Sequence, residues 1–271
     1  MDVIREFEEH KKIDWSTNCS FISLIPKKDQ VGTPQDFRSI SLVNNIYKVI
    51  LKVLTRRFKY VLPKMIYENR GAFISDKQIL DIILIAWELV DRRFKSTTPG
   101  ILCKLDIKKA FDNVRWHIVK NVLQNSGFGA KWVSWIEWCI TYAQHSLLIN
   151  GVSTSKFKPQ KGLRHGYPLS HLLFILVAEI FSKLMKNAVQ LNMISGFSVS
   201  SIQVSHLQYA DGLRVNFNKS SVISIGADHK IGDILRILKC KIEKLPLNIW
   251  VWLLEQMQDM LIEKFPKKLA P

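Results

Sequence analysis

Asn150-Gly151 stands between two strand-like runs, HSLLI and VSTSKF, and no other local feature limits the fold so strongly. Asn and Gly tolerate the left-handed backbone that a two-residue hairpin turn needs, so the flanking runs are expected to pair antiparallel. A lone hairpin buries little, and the neighbouring sequence supplies helices to cover it. Ile46, Val49, Ile50, Val53 and Leu54 recur with helical spacing and stop before Pro63. Ser75 and Gln78 form a capping-box pattern at the start of DKQILDIILIAWELVDRRF, and STTPG ends that helix. Trp116 to Ser126 ends at Gly127, a further helix covers Lys131 to Ala143, and another runs from about His171 to Gln190. Trp132, Trp135, Ile136, Cys139 and Ile140 share one side of the Lys131 helix; core packing explains these tryptophans most simply, with base stacking as the alternative. Short strands, FISLIP, ILCKLDI and IQVSHLQYA, interleave with these helices. The expected class is α+β, with helices packed on one face of a mainly antiparallel sheet.

Charge narrows the partners. The 271 residues carry 39 Lys+Arg against 23 Asp+Glu, a formal net charge of +16. Between Phe21 and Ser75 the basic residues Lys27, Lys28, Arg38, Lys48, Lys52, Arg56, Arg57, Lys59, Lys64 and Arg70 face only Asp29, Asp36 and Glu68. Such a field favours an anionic partner, nucleic acid first among them. The four cysteines, Cys19, Cys103, Cys139 and Cys240, have no zinc spacing and read as reduced thiols of an intracellular protein. MDVIREFEEHKK is charged where a signal peptide is apolar, and the apolar run Leu172 to Ala178 stops at Glu179, so neither secretion nor a membrane span is expected.

Two aspartates follow apolar strands: Asp106 in CKLDIKKAFD and Asp211 in LQYAD. Strand-end carboxylates on neighbouring strands can hold Mg²⁺, a hard cation that bridges to phosphate oxygens. Ordinary turn aspartates are the competing reading.

Several ordered motifs bear on that choice: LIPKK, then DFRSISLVNNIYKVILKVLTRR, KLDIKKAFDNVRW, GFGAKWVSWIEWCI, SLLINGVSTSKFKPQKGLRHGYPLS, SHLQYAD and GLRVNFNKSS. Together, over about Phe21 to Leu245, they resemble the reverse transcriptase domain of plant LINE-type (non-LTR) retroelements. The resemblance implies fingers and palm, an RNA template, a DNA primer and incoming dNTPs, with two Mg²⁺ ions serving nucleotidyl transfer. By position Asp106 and Asp211 would be metal ligands and Phe111 the aromatic residue that excludes a ribose 2′-hydroxyl. Lys27 and Arg38 would lie in the segment that grips phosphates, and Lys219 near the pyrophosphate. For Lys27, Lys219 and Asp112 a solvated surface charge is an equal reading. Nuclear residence would suit such a family.

The chain departs from the family in three places. Where family members read RQGDPLSP this one reads Arg164-His165-Gly166-Tyr167-Pro168-Leu169-Ser170-His171; Gly166 and Pro168 keep the turn, and His165 replaces the glutamine beside template and nucleotide. Family members read roughly FADD before a strand and a helix, whereas here Asp211 runs directly into Gly212-Leu213-Arg214-Val215-Asn216-Phe217, an inferred internal deletion that truncates the palm. Asp-Gly followed by alternating apolar residues could still close a hairpin there. After Lys244-Leu245-Pro246 the expected KYLGLP is replaced by an apolar, helix-like tail. The organisation expected is an N-terminal extension (1–20), a basic fingers-like region (21–100), a palm-like region (101–245) and a tail remnant (246–271). Three functions remain open at this point: an impaired reverse transcriptase, a non-catalytic basic nucleic-acid-binding remnant, or a mis-assembled gene product of an active enzyme.

Overall fold

A computed structural model describes residues 2–11, 13–27, 29–30, 32–66, 79–105, 111–164, 166–199, 202–207, 220–228, 231–232, 235–236 and 240–243. The chain divides into two compact units. The first draws on Met1–Tyr67 and Lys109–Phe181, the second on Glu68–Lys108, Ser182–Asp211 and Val215–Pro271.

In the first unit, helix α1 (Asp2–His10) places Phe7 beside two tryptophans, 5.9 Å from the Trp135 ring and 5.0 Å from Trp138, and the Trp135 indole donates to the Phe7 carbonyl at 3.2 Å. Strands β1 (Cys19–Pro26) and β2 (Phe37–Val43) form an antiparallel hairpin whose loop is tied by Asp36. The Asp36 carboxylate accepts from the backbone N–H of Gly32 and Thr33 and from the Thr33 hydroxyl. Helix α2 (Asn45–Val61) begins where the Asn44 side chain caps Ile46 at 2.9 Å. Tyr47, Ile50, Leu51, Leu54 and Phe58 form its buried row, while Ile46, Val49 and Val53 point outward. Helical spacing alone does not choose between two apolar rows; the row holding the large rings of Tyr47 and Phe58 removes more surface from water.

Helices α3 (Ile79–Lys95), α4 (Trp116–Asn125) and α5 (Ala130–Thr141) follow, with strand β3 (Gly100–Lys104) between the first two. The α4–α5 connection turns at Gly127, φ +83°, where Phe128 N–H reaches back to the Leu123 carbonyl. Trp135 is buried and Trp132 packs against Phe58 and Phe128, the core role expected of this row, and Trp138, outside the row, is buried as well. Strands β4 (Gln144–Ile149) and β5 (Val152–Ser153) meet at Asn150 and Gly151, φ +51° and +81°, the expected hairpin. The sheet runs β2-β1-β4-β5, and β1 with β4 is a parallel pair.

Helix α6 (Pro168–Gln190) opens with proline at its first position, where no N–H is needed. Its apolar run Leu172 to Ala178 is buried within the protein, and among the described residues no helix is long and apolar enough to cross a membrane. In the second unit β6 (Phe197–Val199) pairs with β7 (Ile202–Val204), and β3 pairs antiparallel with β8 (Ser221–Ile225), which pairs parallel with β9 (Lys241–Glu243). Arg93 of α3 lies 4.8 Å over the Phe197 ring and donates to the Pro99 carbonyl. The fold is α+β, and its pairings are mainly antiparallel. All four cysteines are free thiols. The capping box at Ser75 and Gln78, the turn at Asp211-Gly212 and the tail 246–271 lie outside the described residues.

Candidate functional site

Lys27 and Arg38 sit at the two sides of the β1–β2 hairpin. Lys27 is exposed just past β1, its N–H donating to the Asp36 carbonyl at 2.8 Å, and Arg38 pairs in register with Ile25. The hairpin therefore projects both cations from one rigid pair of strands. Phe111 opens a short turn (Phe111–Asn113) and stacks on Phe174 at 4.7 Å, with the His171 ring 5.1 Å away edge-on, both on α6.

The segment 161–167 lies between these two elements. Lys161 Nζ donates to Asn113 Oδ1 at 2.8 Å, Gly162 N–H to the Val114 carbonyl at 2.8 Å, and Leu163 N–H to the Phe111 carbonyl at 2.9 Å. The Trp116 indole returns a bond to the Gly162 carbonyl at 2.7 Å. Gly162 adopts φ +98°, and a Cβ there would meet the Asp112 carbonyl oxygen at 3.2 Å, so glycine permits this close approach. Arg164 turns inward. Its Nη2 donates to the Asn18 carbonyl at 2.9 Å and to Asn18 Oδ1, and the guanidinium lies 4.6 Å over the Tyr47 ring. Gly166 has φ +90°, and the Tyr167 hydroxyl donates to the Ser41 carbonyl of β2 at 2.8 Å.

A cavity of about 170 Å³ opens here, with Ser39, Ser41, His145, Lys161, Arg164 and Tyr167 among its walls. His145 shares a 2.7 Å hydrogen bond between its Nδ1 and Ser20 Oγ. Burial, and secondarily the charge of Arg164, push its pKa down to about 4, so it is neutral near pH 7. Burial holds the Tyr47 phenol well above its usual range, and its hydroxyl donates to the Cys139 carbonyl at 2.9 Å. Burial likewise pushes the Cys139 thiol up to about 12 and keeps it protonated. The site's chemistry is thus cationic and hydrogen-bonding, with no nucleophilic thiolate.

The structure brings Phe111, Gly166 and the hairpin carrying Lys27 and Arg38 into one unit. Asp106, two residues beyond the end of β3, lies outside the described residues, as do Asp211, Lys219 and His165. Among the described residues no group of three or more His, Cys, Asp or Glu side chains is placed to hold a metal. Sequence reasoning missed Asn18, Tyr47 and His145, and read Arg164 and Tyr167 only as parts of a loop. Tyr167 had a signal, since a residue able to donate stands where the resembled family has aspartate; Asn18 had none.

A family model described as reverse transcriptase (RNA-dependent DNA polymerase) matches residues 25–249. The chain belongs to the reverse transcriptase family. Members of this family generally use divalent metal ions. The chain is 28% identical over 181 residues to a transposon TX1 uncharacterized 149 kDa protein of Xenopus laevis, covering 66% of this chain and 14% of that protein. To a Pol polyprotein from an R2 type-1 retrotransposable element of Nasonia vitripennis it is 26% identical over 199 residues, 70% of this chain and 18% of the polyprotein. The chain thus spans less than a fifth of these two relatives. Apo telomerase from Candida tropicalis, truncated from its C-terminal domain, shares the fold with a TM-score of 0.53 at 12% identity, over 87% of this chain and 50% of that one. The relatives named are thus a transposon protein and a retrotransposable-element polyprotein.

Proposed function

We propose that this reverse transcriptase domain binds an RNA template with its DNA primer and that its nucleotidyl transfer is impaired. The observation that carries the impairment is the Asp211-Gly212 junction, which leaves no carboxylate at the position after Asp211. Two carboxylates, Asp106 and Asp211, can serve one Mg²⁺ whose shell is completed by water and phosphate oxygens. They do not fit a pair of divalent cations held together with a triphosphate, because glycine brings no charge and no side-chain oxygen. Binding is supported by the basic residues of Phe21–Ser75 and by Lys27 and Arg38 at the sides of one hairpin. Lys219 adds a cation near the expected pyrophosphate, and Phe111 stands where the family excludes a 2′-hydroxyl. The fingers-like region (21–100) and palm-like region (101–245) are the corresponding assignments, and a nuclear site of action suits such a domain.

Nucleotide incorporation on a primed RNA template with Mg²⁺ or Mn²⁺ tests this directly. The expected result is incorporation no faster than that of Asp106→Ala; robust incorporation lost in Asp106→Ala contradicts it. The non-catalytic binding remnant is favoured over the mis-assembled gene product by the same junction, since Asp-Gly is a residue pair that hairpin turns favour. Coding sequence for the missing strand and helix between the Asp211 and Gly212 codons would reverse that order.

A further inference from the structure

We propose that Arg164 and Tyr167 are positioning residues that tie their loop to Asn18, just before β1, and to Ser41 of β2, and that neither side chain contacts nucleic acid. In a chain of this charge an arginine beside the template-side loop would ordinarily be assigned to a phosphate. Its surroundings argue otherwise. One nitrogen of the Arg164 guanidinium, Nη2, donates to Asn18 at both the carbonyl and Oδ1, and the group lies over the face of Tyr47. Each partner is itself fixed: Asn18 is fully buried and donates from Nδ2 to the Trp138 carbonyl at 3.1 Å, and Tyr47 is held by the Cys139 carbonyl. The Nε and Nη1 atoms of Arg164 are buried without a hydrogen-bond partner, so these two donors of the fork also lie within the protein and away from a surface phosphate.

Tyr167 completes the arrangement. The resembled family carries aspartate at this position, and a carboxylate cannot donate to the Ser41 carbonyl. The phenol does so at 2.8 Å and also accepts from the Val43 backbone. Upstream, Gly162 and Leu163 are bonded to Val114 and Phe111. Residues 162–163 are therefore bonded to the Phe111 turn, Arg164 to Asn18 just before β1 and Tyr167 to β2, and the replacement of aspartate by tyrosine is what makes the last attachment. Its purpose as a positioning device rests on the reading that this surface binds a primed template.

The test uses the full chain carrying Arg164→Lys, Arg164→Gln or Tyr167→Phe, each assayed well below its own unfolding temperature so that the folded fraction is unchanged. Affinity for a short RNA–DNA hybrid with a recessed primer end is measured across salt concentrations. The expected loss is about threefold to tenfold in every variant, including Arg164→Lys, because an ammonium cannot replace the fork. The slope of log affinity against log salt is expected to stay at the wild-type value. Rescue by lysine, or a slope shallower by about one in the arginine variants, would make Arg164 a phosphate contact and overturn the proposal. A second readout needs no nucleic acid: the His145 ring, followed by NMR, is expected to protonate at higher pH in Arg164→Gln than in wild type, and an unmoved midpoint would also overturn it. If wild type fails to bind the hybrid, the binding function fails while the His145 titration still decides whether Arg164 points inward.

Discussion

On one face of the β2–β1–β4 sheet lie Ser20, Ile22, Ser41 and His145; on the other lie Phe21, Ile25 and Leu42. The register requires this division, since Ser20 pairs with Val43 and His145 while Phe21 pairs with Leu42. Ser20 and His145 are buried on the first face, where Tyr167 bonds to Ser41 and Arg164 to Asn18 just before β1, whereas Phe21 and Leu42 on the second are about half exposed, at 48% and 50%. At these four positions the usual pairing of apolar with buried is inverted. What it teaches is that a buried polar face survives when each group already has a partner, and that such a face is where substitutions should cost most.

The comparison can be broken by measurement. Asn18→Ala removes the Oδ1 acceptor of Arg164, leaving the backbone carbonyl, together with the donor to Trp138, and urea unfolding should show a loss of about 2–4 kcal/mol. Next comes pH. Unfolded His145 titrates near 6.5 and folded His145 near 4, so between those values the unfolded chain binds the extra proton. The contribution is complete above pH 6.5, falls as pH drops towards 4 and levels off below. Its size is at most roughly 3 kcal/mol, read as the difference between the pH profiles of wild type and His145→Gln. Tyr167→Phe deletes one hydroxyl and should cost about 1 kcal/mol in the same assay. On the opposite face, Phe21→Ser and Leu42→Ser should stay within about 0.5 kcal/mol. An outer-face loss as large as that of Asn18→Ala would mean that something covers Phe21 and Leu42.

Local signals carried the parts of the fold that local physics determines. Asn150-Gly151 turned as its residues demand, Gly127 ended α4, and the tryptophan row of α5 became core because its period is helical. Long-range choices were not legible. The parallel pairing of β1 with β4 joins residues 125 apart, and nothing in FISLIP or HSLLI names the other. Arg164 shows the same limit at the site: its charge was visible, but its inward direction depends on Asn18, 146 residues away. The strand expected to run from Ile202 to Ala210 is seen only over Ile202–Val204, with 205–207 outside it, and Asp106 and Asp211 lie outside the described residues, so their roles are a proposal founded on the motifs.

The central claim is that the acidic cradle has lost a member and can no longer hold a cation pair. Counting Mn²⁺ bound per chain by electron paramagnetic resonance, with a primed RNA template and a non-hydrolysable dNTP present, tests it most directly. The account predicts a single bound ion that disappears in Asp106→Ala; two ions bound together, both dependent on Asp106, would contradict it.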